Sequence, residues 1–226
     1  MTKMIVFDMA GTTVNEDNVV YKTLHKIIND AGYEVSLEQV LETGAGKEKL
    51  QAIRDILTLS SKHQEPGLAE NLYLYFDKAL EIAYDNIDVK PQEGAEELFK
   101  TLQQNNILVI LNTGYNEKTA RGLLKKLNWK EGAQIDGLVT ATDVSNNRPM
   151  PDMIQLAMQQ FLITNPKHVV KIGDSIIDIE EGKNAGCGIT FGITTGAHTH
   201  EQLVTASPDY IINSLSEVPA ILKINM

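Results

Sequence analysis

The sequence predicts an α/β protein: a doubly wound parallel sheet, interrupted after its first strand by an all-helical insertion. Three observations carry this expectation. The apolar run Met4, Ile5, Val6, Phe7 ends in Asp8 and breaks at Ala10-Gly11, as a buried strand does where it reaches the carboxyl edge of a sheet. Residues 15–88 carry helical apolar stripes and no strand pattern. From Pro91 onward, strand and helix patterns alternate, which builds a parallel sheet covered on both faces.

The elements follow in order. After the strand at 4–7 and the loop 8–14, Val20, Leu24, Ile27 and Ile28 fall at helical spacing within 17–31, and Gly32 supplies a stop. Ser36 and Gln39 make a capping pair for a short helix to Glu42, and apolar stripes predict helices over 47–59 and 68–84. The alternation then reads helix 93–104, strand 107–112, helix 117–127, strand 137–140, helix 151–161, strand 168–172 and helix 176–185, with closing strands at 189–193 and 210–212. Linkers fall near Asn15 and near 88–92. The expected division is therefore a sheet core of 1–14 plus 89–226 and a helical domain of 15–88.

Composition narrows the function. A formal net charge of −10 over 226 residues, with no Lys/Arg-rich run, argues against a nucleic-acid partner. The single cysteine, Cys187, has no internal disulfide partner and sits among small and apolar neighbours, so packing and a reducing environment are expected. Apolar runs such as 107–111 are too short to span a bilayer, and no basic, apolar leader precedes the first strand. The expectation is a cytoplasmic protein, monomeric or homodimeric, with no membrane partner.

Four short motifs stand at the carboxyl ends of predicted strands. They are Asp8-Met9-Ala10-Gly11-Thr12-Thr13-Val14, Asn112-Thr113-Gly114-Tyr115, Arg148-Pro149-Met150-Pro151, and Gly173-Asp174-Ser175-Ile176-Ile177-Asp178. Taken singly each has an ordinary reading, since an aspartate after a strand is commonly a turn or cap residue and Arg-Pro commonly opens a loop. In this order they resemble the catalytic set of the haloacid dehalogenase superfamily, over essentially the whole chain. The resemblance implies a Rossmann-like core, a helical cap over the site, Mg²⁺, and Asp8 as nucleophile.

The residue types suit that chemistry. Displacement at a dianionic phosphoryl or phosphonyl group needs charge neutralisation and in-line positioning more than proton transfer. Asp8 and Asp174 supply hard oxygen ligands for Mg²⁺. By resemblance the backbone carbonyl of Ala10 is the third protein ligand, with Asp178 and Thr12 supporting the ligands from behind. Thr113 and the Gly114 amide would cradle phosphate at a strand-to-helix turn, and the Arg148 fork would bind two phosphoryl oxygens while offsetting Asp8.

Ala10 departs from the superfamily's usual pattern, which has a second aspartate there to protonate the leaving group. The chain is similar in this to the phosphonoacetaldehyde hydrolase branch, which also has alanine followed by Gly-Thr-Thr, and arginine before Pro-x-Pro. In that branch a cap lysine forms an imine with the substrate aldehyde, which activates the leaving carbon in place of an acid. The corresponding lysine here is Lys47, closing Thr43-Gly44-Ala45-Gly46-Lys47. The branch has a methionine where Thr43 stands and a histidine where Leu50 stands, so the match is incomplete. The string is not a phosphate loop of the nucleoside triphosphatases, because Glu48 replaces the required Ser or Thr and Leu41 the first Gly.

Weaker signals read as structure. His198 and His200 flank Thr199, which with Gln202 makes a helix-start capping pair. Tyr115 either lines the cleft or packs, and Trp129 packs. The expected function is a Mg²⁺-dependent hydrolase acting on a small phosphonate or phosphorylated metabolite. Its rivals are a phosphomonoester phosphatase with the leaving-group acid elsewhere, and a catalytically weak protein that binds a phospho-ligand.

Overall fold

The computed structural model describes residues 1–60 and 65–225. Its strands are β1 (Met4–Phe7), β2 (Val14–Asn15), β3 (Lys90–Pro91), β4 (Leu108–Thr113), β5 (Gly137–Thr140), β6 (Val169–Gly173), β7 (Ile189–Ile193) and β8 (Tyr210–Ile212). Helices α1 (Val19–Asp30), α2 (Leu37–Gly44), α3 (Lys49–Leu57) and α4 (Leu68–Asp85) lie between β2 and β3. The remainder are α5 (Ala95–Gln104), α6 (Glu117–Leu127), α7 (Asp152–Gln160), α8 (Ile176–Asn184), α9 (His200–Thr205) and α10 (Val218–Leu222).

Six strands form one parallel sheet in the order β5-β4-β1-β6-β7-β8. The chain winds outward from β1 through β4 to β5, then returns to β6 on the other side of β1. A ligand crevice belongs at that reversal, at the carboxyl ends. β1 is buried throughout, and its side chains alternate between two cores. Ile5 and Phe7 face the cluster that includes Phe99, Leu102 and Phe191, while Met4 and Val6 face Ile110, Met153 and Ile154. Period-two alternation into two apolar layers fixes the register and holds the strand ends in place.

The helical insertion obeys the expected stripes. Val20, Leu24 and Ile28 of α1 are buried, as are Leu72, Phe76, Leu80 and Tyr84 of α4. Ser36 and Gln39 form a reciprocal capping box on α2, as do Thr199 and Gln202 on α9. Trp129 packs edge-on against Phe99, and the buried Cys187 thiol is pushed up to about 12 by burial. No described helix is long and apolar enough to cross a membrane.

The two segments expected as linkers, near Asn15 and 88–92, pair with each other: β2 and β3 run antiparallel, Val14 with Pro91 and Asn15 with Lys90. Strands of two residues are too short to show any period, so only the pairing reveals them. The short α10 went unread for the same reason.

Candidate active site

Asp8 follows the last residue of β1, and its backbone N–H donates to Ile172 O of β6 at 2.9 Å. That bond seats the carboxylate between β4 and β6. Thr113 ends β4, Asp174 follows β6, and Arg148 reaches in from the loop after β5, so the sheet gathers all four motifs at one edge. All of these residues are buried.

Carboxylate oxygens of Asp8, Asp174 and Asp178 lie within 4.8 Å of one another. Asp174 is held by the Ala197 N–H at 2.6 Å and the Thr12 hydroxyl at 3.3 Å. Asp178, in the first turn of α8, accepts from Ser175 Oγ at 2.5 Å and pairs with Arg148 at 2.8 Å and Lys171 at 3.0 Å. Thr12 thus bonds Asp174 directly, and Asp178 is tied to Arg148 and Lys171 within the same carboxylate group.

Arg148 is the hub. Its Nη1 donates to Asp8 Oδ1 at 2.7 Å, its Nε to Glu181 at 3.0 Å, and its Nη2 to the Asn112 carbonyl and side-chain oxygens at 2.9 and 2.6 Å. Lys171 Nζ bonds the same Asn112 oxygen at 2.6 Å and pairs with Glu181 at 2.9 Å. The guanidinium fork expected to hold two phosphoryl oxygens therefore orders the nucleophile and the sheet edge.

The carboxylates at this edge outnumber the cations paired with them. Asp8, Asp174, Asp178 and Glu181 are four buried carboxylates, and Arg148 and Lys171 are the two cations paired with them, which leaves an excess of two negative charges. Burial, then the Asp8 and Asp178 charges, push Asp174 well above the usual carboxylate range. Asp8 is likewise raised by burial and Asp178, against the pull of Arg148. Asp178 is held low despite its burial by Arg148 and Lys171. A divalent oxygen-seeking ion beside Asp8 and Asp174 fits both the charge deficit and the donor set.

The loop before α3 closes the site. Gly46, at φ +72°, passes so near Ile177 and Ser175 that a side chain would collide with both. Its carbonyl accepts from Arg148 Nη1 at 3.3 Å, and its N–H donates to Tyr21 Oη at 3.1 Å. The Lys47 carbonyl lies against Gly114, where an added Cβ would sit 2.5 Å from the oxygen. Backbone from the helical insertion thus covers the Thr113-Gly114 turn, whose Thr113 Oγ1 accepts from Tyr115 N at 3.2 Å.

The two lysines of that loop diverge. The Lys47 amine turns to Asp55 at 2.5 Å and stays partly exposed. Lys49 is the buried one: its Nζ donates to Lys47 O at 2.7 Å and lies 5.1 Å from the Tyr115 ring centre and 5.7 Å from that of Tyr21. Tyr115 Oη meets Tyr84 Oη at 2.7 Å, and Tyr84 Oη donates to the buried Glu16 at 3.4 Å. His198 accepts from the Ile176 N–H at 3.0 Å at the start of α8, and His200 is exposed.

Lys171, Glu181, Lys49 and Glu16 were not singled out by the sequence reading. Lys171 had a signal, since a charge inside the apolar run Val169 to Ile172 demands a buried partner. Glu181 stands three residues after Asp178 on one helix face, which also was legible.

The family model described as haloacid dehalogenase-like hydrolase matches residues 5–191. A phosphonoacetaldehyde hydrolase of Latilactobacillus sakei is 27% identical, covering 96% of this chain and 94% of that one. One from Parabacteroides distasonis is 25% identical over 98% and 96%. Among solved structures, a hydrolase from Pseudomonas syringae superposes with a TM-score of 0.87 at 19% identity, covering all of both chains. A phosphonoacetaldehyde hydrolase like protein from Oleispira antarctica gives 0.85 at 21%, covering 98% of this chain and 91% of that one.

Proposed function

This chain belongs to the haloacid dehalogenase-like hydrolases, and we propose that it is a Mg²⁺-dependent member that cleaves a small phosphonate or phosphorylated metabolite through a covalent intermediate on Asp8. The observation that carries the reading is the Asp8 carboxylate, bonded to Arg148 within a buried group of carboxylates that lacks two positive charges. A pure binding site has no use for a desolvated nucleophile held this way.

Asp8, Asp174 and the Ala10 carbonyl would hold the ion, with Thr12 and Asp178 orienting the ligands. When bound, Mg²⁺ neutralises phosphoryl oxygens and favours in-line displacement. Arg148 favours the ionised form of the attacking carboxylate and aims it, and Thr113 with the Gly114 amide would receive the phosphoryl group. The phosphoryl group passes to Asp8, and water then releases it.

Helices α1–α4 make the cap domain, 15–88, on a core of 1–14 plus 89–226. The pairing of β2 with β3 supports a hinge there, since both crossings between the parts lie side by side. Gly46 and Lys47 on the Thr113-Gly114 turn correspond to the closed position, which excludes water, and substrate enters when the cap lifts.

The names of the relatives favour a second reading, carbon–phosphorus cleavage assisted by an imine on Lys47. It requires the Lys47 amine to leave Asp55. Phosphate release from phosphonoacetaldehyde beside a panel of phosphate esters, with Asp8→Asn and Lys47→Ala, tests both. Asp8→Asn should abolish release from every substrate. Release from the phosphonate that needs Lys47, with a borohydride-trapped adduct on it, would establish the imine route; full activity of Asp8→Asn would sink both readings.

A further inference from the structure

Ala10 leaves the nucleophile loop without a carboxyl group to protonate a leaving oxygen, yet a buried amine lies at the end of the neighbouring strand β4. Lys49 opens α3 from the insertion and buries its amine at the Gly114-Tyr115 end of β4. The contacts fix its position. Its Nζ bonds the Lys47 oxygen that covers Gly114, and the adjoining Gly46 oxygen touches Arg148, which holds Asp8. Lys47 O is its one hydrogen-bond acceptor among the described residues, so two of three ammonium protons remain for a ligand.

The surroundings suit a proton that leaves and returns. The faces of Tyr21 and Tyr115 stabilise the ammonium without accepting its protons. Burial brings the amine down to about 8, with Asp8 pulling against that fall and Arg148 adding to it. The buried Glu16 stands on the far side, joined to Tyr115 through Tyr84.

We propose that Lys49 is the general acid for the leaving group, an assignment that rests on Asp8 being the nucleophile. Asp8 attacks phosphorus and the bond to the leaving oxygen breaks, its electron pair staying on that oxygen. Lys49 supplies the proton and becomes a neutral amine. Water then attacks the aspartyl phosphate, Asp8 departs as carboxylate, and Lys49 takes the proton that water gives up. The products are an alcohol and hydrogen phosphate, and both side chains return to their starting states.

The test compares wild type, Lys49→Met and Asp8→Asn on p-nitrophenyl, phenyl and ethyl phosphate, whose leaving groups need a proton to increasing degree. Lys49→Met should lose ~10²–10⁴-fold in kcat/KM on ethyl phosphate but no more than about tenfold on p-nitrophenyl phosphate. Because the ratio is taken within one preparation, partial misfolding cancels. An equal loss on all three esters, or none on ethyl phosphate, would overturn the assignment. Phosphonoacetaldehyde turnover with no ester cleaved would overturn it while sparing Asp8. No turnover by wild type, or turnover indifferent to Asp8→Asn, would remove the nucleophile reading and the acid with it.

Discussion

Gly114→Ala isolates cap closure from the chemistry it covers. The Gly114 backbone does not lie in the left-handed region, so alanine fits the turn without torsional strain and keeps the amide in place. The added methyl carbon would sit 2.5 Å from Lys47 O, 2.8 Å from Lys47 C and 2.9 Å from Gly46 O, all backbone atoms that cannot rotate aside. An ordinary contact begins at 3.4 Å, so the 44–48 loop must retreat by roughly 1 Å, a displacement that typically costs on the order of 10²-fold in rate. The same retreat loosens the 3.3 Å contact of Gly46 O with Arg148 and carries away the oxygen that holds Lys49. The substitution lies outside both apolar clusters, so stability should change by less than about 1 kcal/mol. Steady-state kinetics read the loss, and amide hydrogen exchange over 44–49 reads the opening, which should quicken. A kcat within about threefold of wild type and unchanged exchange would refute the steric argument.

Two further outcomes follow from the buried charges. Burial raises Glu16 from 4.5 to about 7, so the fold favours its protonated form; that stability is full below pH 4.5 and is lost as pH rises through 7, by about 3 kcal/mol at pH 8. Glu16→Gln should therefore gain on wild type between pH 5 and pH 8 in urea denaturation, and a gap that stays constant with pH would contradict the burial argument. Mg²⁺ at a hundredfold excess over its Kd should stabilise wild type by about 2.7 kcal/mol, reversibly with EDTA. Asp174→Asn should lose that shift in melting experiments; an undiminished shift would place the ion elsewhere.

Much of the fold was legible because it depends on local pattern. The Met4 to Phe7 run, the Leu72-Phe76-Leu80-Tyr84 stripe and the Ser36/Gln39 and Thr199/Gln202 pairs each lie within one element, where spacing alone states which face is buried. The motif residues Asp8, Thr113, Arg148 and Asp174 were legible for a related reason: each is tied to a strand end, and a parallel sheet aligns those ends. Contacts between distant residues were not. Glu16, Tyr84 and Tyr115 are far apart in sequence and meet only when α1, α4 and β4 pack.

By itself, then, the sequence determined the α/β class, the edge of the sheet where the four motifs meet, and the carboxylates suited to a divalent ion. Tertiary structure decided which lysine lies buried against that edge. Lys47 and Lys49 stand two residues apart in the same polar stretch, and nothing in their spacing separates them. Glu48 caps α3 through the Leu50 and Gln51 amides, and that turn sends the Lys47 amine toward Asp55 and the Lys49 amine between Tyr21 and Tyr115. The direction of a side chain at a helix start depends on backbone torsions and on which surface the helix packs against, and both are set by the fold.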